Sequence, residues 1–168
     1  MKILQLAIAS SLLGLISASY AQEPAGQPGA IDVPTGVQLV LQVRGEGFQI
    51  YVCEEDGNWK LSAPDATLFD EGHHALGIHY AGPRWRLDDG SEVQGKLVKS
   101  EAHAGTIPWL LLSAKSIGSS GELSPVDIVR RTDTEGGVVP TTGCDADHVG
   151  AQSKVSYSAT YSFYTSKK

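Results

Sequence analysis

Five histidines, His73, His74, His79, His103 and His148, are the residues of this 168-residue chain with the widest chemical reach. Imidazoles at suitable spacing would hold copper or zinc. Spacing argues against a ready-made site. In an extended segment over 73–79, His73 and His79 share a face but stand about 20 Å apart at ~3.3 Å per residue. His74 points to the opposite face from His79, and the adjacent His73 and His74 diverge. A metal site would have to be assembled from His79 and a loop histidine such as His103 or His148. Solvated or hydrogen-bonded imidazoles are the simpler expectation, and no metal is assigned.

Carboxylates cluster at Asp88-Asp89 and at Glu54-Glu55-Asp56. Glycoside hydrolysis needs two carboxyls facing each other across a groove at ~5–9.5 Å, whereas both clusters adjoin an Asp-Gly turn that accounts for them. Ser91, His79 and Asp89 lie close in sequence, but no Gly-x-Ser-x-Gly elbow accompanies them. The aromatic set of Trp59, Trp85, Trp109, Tyr51 and Tyr80 would suit a ligand platform. Each Trp is followed two residues later by Leu, which favours inward-facing core pairs. Arg131, if it points inward, calls for a carboxylate such as Asp89 or Asp145, because an unpaired buried charge is costly.

The two cysteines, Cys53 and Cys144, are expected to form one disulfide, since an oxidising compartment favours pairing and no Cys-x-x-Cys spacing is present. That compartment is indicated by the start of the chain. Met1-Lys2 is followed by an uncharged apolar run from Ile3 to Ile16, and Ser19-Tyr-Ala21 offers small residues at a cleavage site. This reads as a signal peptide over 1–21, cleaved near Ala21. The run is short of the ~20 apolar residues that a span needs, so the mature protein is expected to be secreted or periplasmic without a membrane span.

Removing those residues leaves 147, with 12 basic and 19 acidic side chains and a formal charge of −7. Dispersed acidity argues against nucleic acid, which requires a basic footprint. A flexible leader is expected over 22–34, where Pro and Gly recur. A single all-β domain then runs over 35–166. Val37 to Val43, Phe48 to Cys53 and Val155 to Phe163 alternate with period 2. Glu55-Asp-Gly-Asn58 and Asp88-Asp-Gly-Ser91 are turns, the latter closing a hairpin. Short strands of this kind, about eight to ten in number, predict an antiparallel sandwich or barrel.

The order of motifs adds a resemblance over nearly the whole mature chain. Val33-Pro-Thr-Gly36, Gln49-Ile-Tyr-Val-Cys53, Trp59-Lys-Leu-Ser-Ala-Pro64, His79-Tyr-Ala-Gly-Pro-Arg-Trp85 and Asp89-Gly-Ser91 begin it. Ile107-Pro-Trp-Leu-Leu-Leu112, Arg131 with Thr134 and Gly136-Gly137, Gly143-Cys-Asp145 and Tyr157 to Tyr164 complete it. On these residues the chain resembles a family of exported bacterial and fungal proteins classed as a domain of unknown function. Arg84 departs from the pattern, where Thr is commoner. The resemblance implies a secreted β-rich domain with paired cysteines and supplies no catalytic residues. Some fungal members carry a dehydrogenase label, but this chain has no Gly-x-Gly-x-x-Gly after a strand and no βαβ pattern, so no cofactor is implied.

These readings point to an exported, disulfide-linked β-domain with a non-catalytic binding or structural role. Its partner would be a small molecule, a glycan or an envelope component. His79, Trp85, Asp89 and Arg131 are the candidate ligand-binding residues, and a metal site or enzyme centred on the first three is the alternative. In the stretch from His79 to Gly95, turn chemistry and core packing account for all but His79.

Overall fold

The structure is a computed structural model describing residues 31–166; the expected signal peptide and residues 22–30 of the leader lie outside the described residues. Eight strands occur: β1 Gln38–Cys53, β2 Trp59–Phe69, β3 Ala75–Tyr80, β4 Arg84–Leu87, β5 Glu92–Glu101, β6 Trp109–Ser116, β7 Ile128–Gly136 and β8 Gln152–Thr165. Each pairs antiparallel with the next, and β8 pairs back onto β1 from Gln38↔Thr165 to Val52↔Gln152. Of the two expected architectures the chain therefore forms the barrel, a closed up-and-down meander without a free edge.

This topology gives the barrel two distinct poles. One carries the β2–β3, β4–β5 and β6–β7 connections, together with the start of β1 and the end of β8. It is plugged by Leu123 and Val126, which fold in from the β6–β7 connection and are both buried. The other carries the β1–β2, β3–β4, β5–β6 and β7–β8 connections. There the disulfide Cys53–Cys144 fastens the long β7–β8 loop to the end of β1. Ile31, at the end of the expected leader, is buried, and Asp32 lies 3.4 Å from Arg130.

The core is a layered filling of the barrel by Val43, Leu68, Trp85, Leu112, Val129, Tyr161 and Phe163, all at most 3 % exposed. Two interior glycines make room for its largest rings. A Cβ at Gly45 would sit 2.6 Å from the Tyr161 ring, and one at Gly95 would sit 2.9 Å from the Trp85 ring. Gly45 and Gly47 thus do not separate two strands; β1 runs through them unbroken. Likewise β2 continues through Pro64, beside the irregularity opposite Ile50 and Tyr51 that skips Ser62, a place where a missing N–H donor is tolerated.

Only one tryptophan is a core residue. Trp85 is 1 % exposed, whereas Trp59 and Trp109 are half-buried. The Trp59 indole donates to the Thr142 carbonyl at 2.8 Å, and Trp109 stacks on His103 with centroids 4.0 Å apart. Leu61, two residues after Trp59, is 51 % exposed at the disulfide-bearing pole, so the Trp-x-Leu pairing does not mark a packed core pair there.

Candidate functional site

The second half of β1 turns its polar face inward. Gln49, Tyr51 and Cys53 are buried at 2 %, 6 % and 1 %, while Phe48 on the opposite face is 40 % exposed. With Val43 at the same parity already in the core, the strand's alternation leaves no other choice. The polar interior at this level borders a cavity of ≈440 Å³ at the disulfide-bearing pole, walled by Leu61, Pro64, Leu97, Ile107, Pro108 and Leu110. Its polar lining comes from Gln49, Tyr51, His79 and Arg131, with Ser62 and Ser100. The volume falls within the usual range of small-molecule pockets, which are mostly apolar with a few placed polar groups.

His79 enters from β3, paired across the ladder with Trp85 of β4. It is 3 % exposed, and its Nδ1 lies 2.8 Å from the Arg84 carbonyl oxygen. A carbonyl can only accept, so Nδ1 carries the proton and Nε2 keeps a lone pair. Burial lowers the pKa of this ring to about 3; the Arg84 hydrogen bond opposes the shift and the Arg131 charge adds to it. The imidazole is neutral at any physiological pH. It stacks on Trp85 and packs against Tyr161, with ring centroids 5.0 Å apart.

Arg131 enters from β7, between Leu110 of β6 and Tyr161 of β8. Its Nε and Nη2 both donate to the Pro108 carbonyl, at 3.1 and 2.8 Å. Its charge acts on Tyr51, His79, Tyr157 and Tyr161. Burial raises the pKa of all three tyrosines, which stay protonated. The carboxylate partner expected for an inward Arg131 is not there: among the described residues no Asp or Glu forms an ion pair with it. Asp145 instead accepts from His148 at 2.6 Å. A half-buried guanidinium that borders an accessible cavity keeps contact with solvent, so it escapes the full cost that burial imposes on a lone charge.

Gln49 completes the polar set. Its Nε2 is buried without a hydrogen-bond partner among the described residues, as is the Trp85 indole nitrogen. Leaving such a donor unmet costs about 1–3 kcal/mol, and most buried polar groups in folded proteins are paired. Among the described residues no carboxylate and no thiol lines the cavity, and both cysteines are committed to the disulfide. The arrangement presents one cation, one amide donor and one neutral imidazole acceptor over apolar walls.

Asp89 does not join this site. It lies at the plugged pole, where Oδ1 accepts from the Ser91 backbone and hydroxyl at 2.8 and 2.6 Å and Oδ2 accepts from the Glu122 N–H at 2.8 Å. Ser91 Oγ in turn accepts from Leu123 N–H at 3.1 Å. These bonds hold the Asp carboxyl below its ordinary range, the Ser91 hydroxyl contributing most. They latch the β4–β5 turn to the loop that plugs the barrel. The other histidines are also apart: His73, at φ 61°, stacks on Phe69, His74 pairs with Asp70, and His103 pairs with Glu101. Among the described residues no three His, Cys, Asp or Glu converge on a point that would hold a metal.

Two of the four candidate residues, His79 and Arg131, thus line the cavity; Trp85 is a core residue that stacks on His79 without lining it. Gln49 is not among the expected residues, and Tyr51 only as a member of the aromatic set, because residues in a strand that alternates with Phe48, Ile50 and Val52 look like its wet face. The signal that would have found them is the parity set by Val43 and carried through Gly45 and Gly47.

By fold and site, the molecule is a small closed antiparallel β-barrel with a cavity at one pole. The chain belongs to the family described as protein of unknown function (DUF3455), whose model matches residues 34–165. No curated protein and no solved structure matches it.

Proposed function

We propose that this protein is an exported, non-catalytic binding protein that takes a small molecule with a mainly apolar body into the barrel cavity. The observation that carries this reading is the buried Gln49 amide, unpartnered beside apolar walls that enclose ≈440 Å³. A donor left unmet at a cavity is a group poised for an outside acceptor. The neutral His79, held in one tautomer by a backbone carbonyl, fits recognition rather than proton transfer near neutral pH. Export rests on the apolar run from Ile3 to Ile16 with its small-residue cleavage site, and a disulfide suits an oxidising compartment.

The test is an equilibrium titration of the purified protein with the neutral fluorophore Nile red. Saturable binding at one site per chain is expected, weakened about tenfold or more in Leu110→Trp, whose indole would occupy the cavity. Melting curves for both proteins check that the variant is folded. Failure of the wild type to bind Nile red saturably, or equal binding by the folded variant, would overturn the reading.

A further inference from the structure

The cavity's polar end has a definite sign. Arg131 presents a planar guanidinium from β7, and among the described residues no carboxylate neutralises it; its Pro108 contacts take up only the Nε and Nη2 side of the fork. Gln49, whose Nε2 donor is buried and unpartnered, belongs to the same lining. Both groups seek acceptors. A guanidinium matches a carboxylate in geometry as well as charge, through paired N–H···O bonds.

From this lining we infer that the ligand of the cavity is a monocarboxylate, its head seated on Arg131 and Gln49 and its apolar body against Leu61, Leu97 and Leu110. The inference rests on the binding reading above and narrows it to one chemical class. A single cation balances one negative charge. A phosphate dianion would bring a second charge and more acceptor oxygens towards the lone pair of His79 Nε2, which repels them. A ligand amine would meet Arg131 as a like charge. Among the described residues the walls beyond the polar end offer apolar surface and two serines, Ser62 and Ser100, which suits a hydrocarbon or aromatic body.

The test pairs each acid with its own alcohol, so that the body is constant and only the head changes. Octanoate with 1-octanol, and 3-phenylpropionate with 3-phenylpropanol, compete for bound Nile red at neutral pH. At least one acid is expected to displace the dye at a concentration about tenfold or more below its alcohol, as a charge-assisted bond provides. That advantage should vanish in Arg131→Gln, whose alcohol competition stays unchanged, and persist in part in Arg131→Lys. If Nile red binds but neither acid outcompetes its alcohol, the head-group assignment is overturned while the cavity reading stands. If the dye does not bind at all, both fall. The wild-type comparison decides the matter even where Arg131→Gln fails to fold.

Discussion

The imidazole of His79 lies parallel to the indole of Trp85, with ring centroids 4.5 Å apart and 5° between their planes. The two residues are ladder partners on β3 and β4, and Arg84, the first residue of β4, supplies the carbonyl that fixes the proton on Nδ1. Trp85 meets Tyr161 and Phe163 edge-on. Such aromatic contacts contribute about 0.5–1.5 kcal/mol each beyond burial. The neutral imidazole is held by two rings and one backbone bond, which makes it a fixed part of the cavity lining.

The first prediction concerns pH and stability. His79 has a folded pKa of about 3, against an unfolded value near 6.5. The unfolded chain binds the proton more readily, so the stabilising effect is fully present above pH ~6.5 and is lost as pH falls towards the folded pKa. By pH 4.5 the loss should reach about 2–3 kcal/mol. Urea denaturation midpoints measured from pH 7.5 to 4.5 should fall steeply for the wild type and much less for His79→Gln. Parallel curves would show that the ring charges freely in the folded protein.

Asp89 should behave as an architectural residue. Asp89→Ala removes the acceptors of the Ser91 and Glu122 N–H groups and should lower the melting temperature, because the plug carrying Leu123 loses its anchor. Nile red affinity, set at the other pole, should change by less than about threefold. A large loss of dye binding with an unchanged melting curve would reverse that assignment.

The disulfide Cys53–Cys144 closes a separation of 91 residues. Replacing both cysteines by serine should cost about 2–5 kcal/mol. The fold itself should survive, since the end of β1 is also tied to the β7–β8 loop by Cys53 N–H to the Ala151 carbonyl and Gly150 N–H to the Cys53 carbonyl, both at 2.9 Å. Urea unfolding followed by circular dichroism reads both quantities, and an unchanged midpoint is the adverse result.

Gly95→Ala tests the packing of Trp85. The added methyl would stand 2.9 Å from the indole and 3.0 Å from a Leu112 methyl, with Leu112 and Trp85 both at most 3 % exposed. Overpacking of this kind costs about 1–3 kcal/mol. A lower denaturation midpoint with a changed near-ultraviolet tryptophan signal is expected; full retention of both would mean that the indole moves aside freely.

Much of the fold was legible because strands and turns are local. Asp89-Gly90 closes its hairpin, with Gly90 at φ 84°, and Gly57 takes φ 76° in the β1–β2 turn. The period-2 runs became strands, and the cysteines paired. Barrel closure was not legible, since the β1–β8 seam joins residues 100 or more positions apart and alternation serves a sandwich equally well. The inward set at Gln49 and Tyr51 was hidden for a related reason: hydrophobicity marks a strand's inner face only where that face meets a packed core. Facing a cavity, the rule inverts. Arg131 shows the same limit, for the expectation of a carboxylate assumed a dry interior.

The pairing of Gln38 with Thr165 sets the two ends of the barrel's chain side by side at the plugged pole, opposite the cavity. Whatever precedes β1 or follows β8 therefore joins the molecule by its base. An affinity handle or surface tether fused at either end would leave the mouth pointing away from its attachment, so immobilised protein should retain access for a solute arriving from bulk.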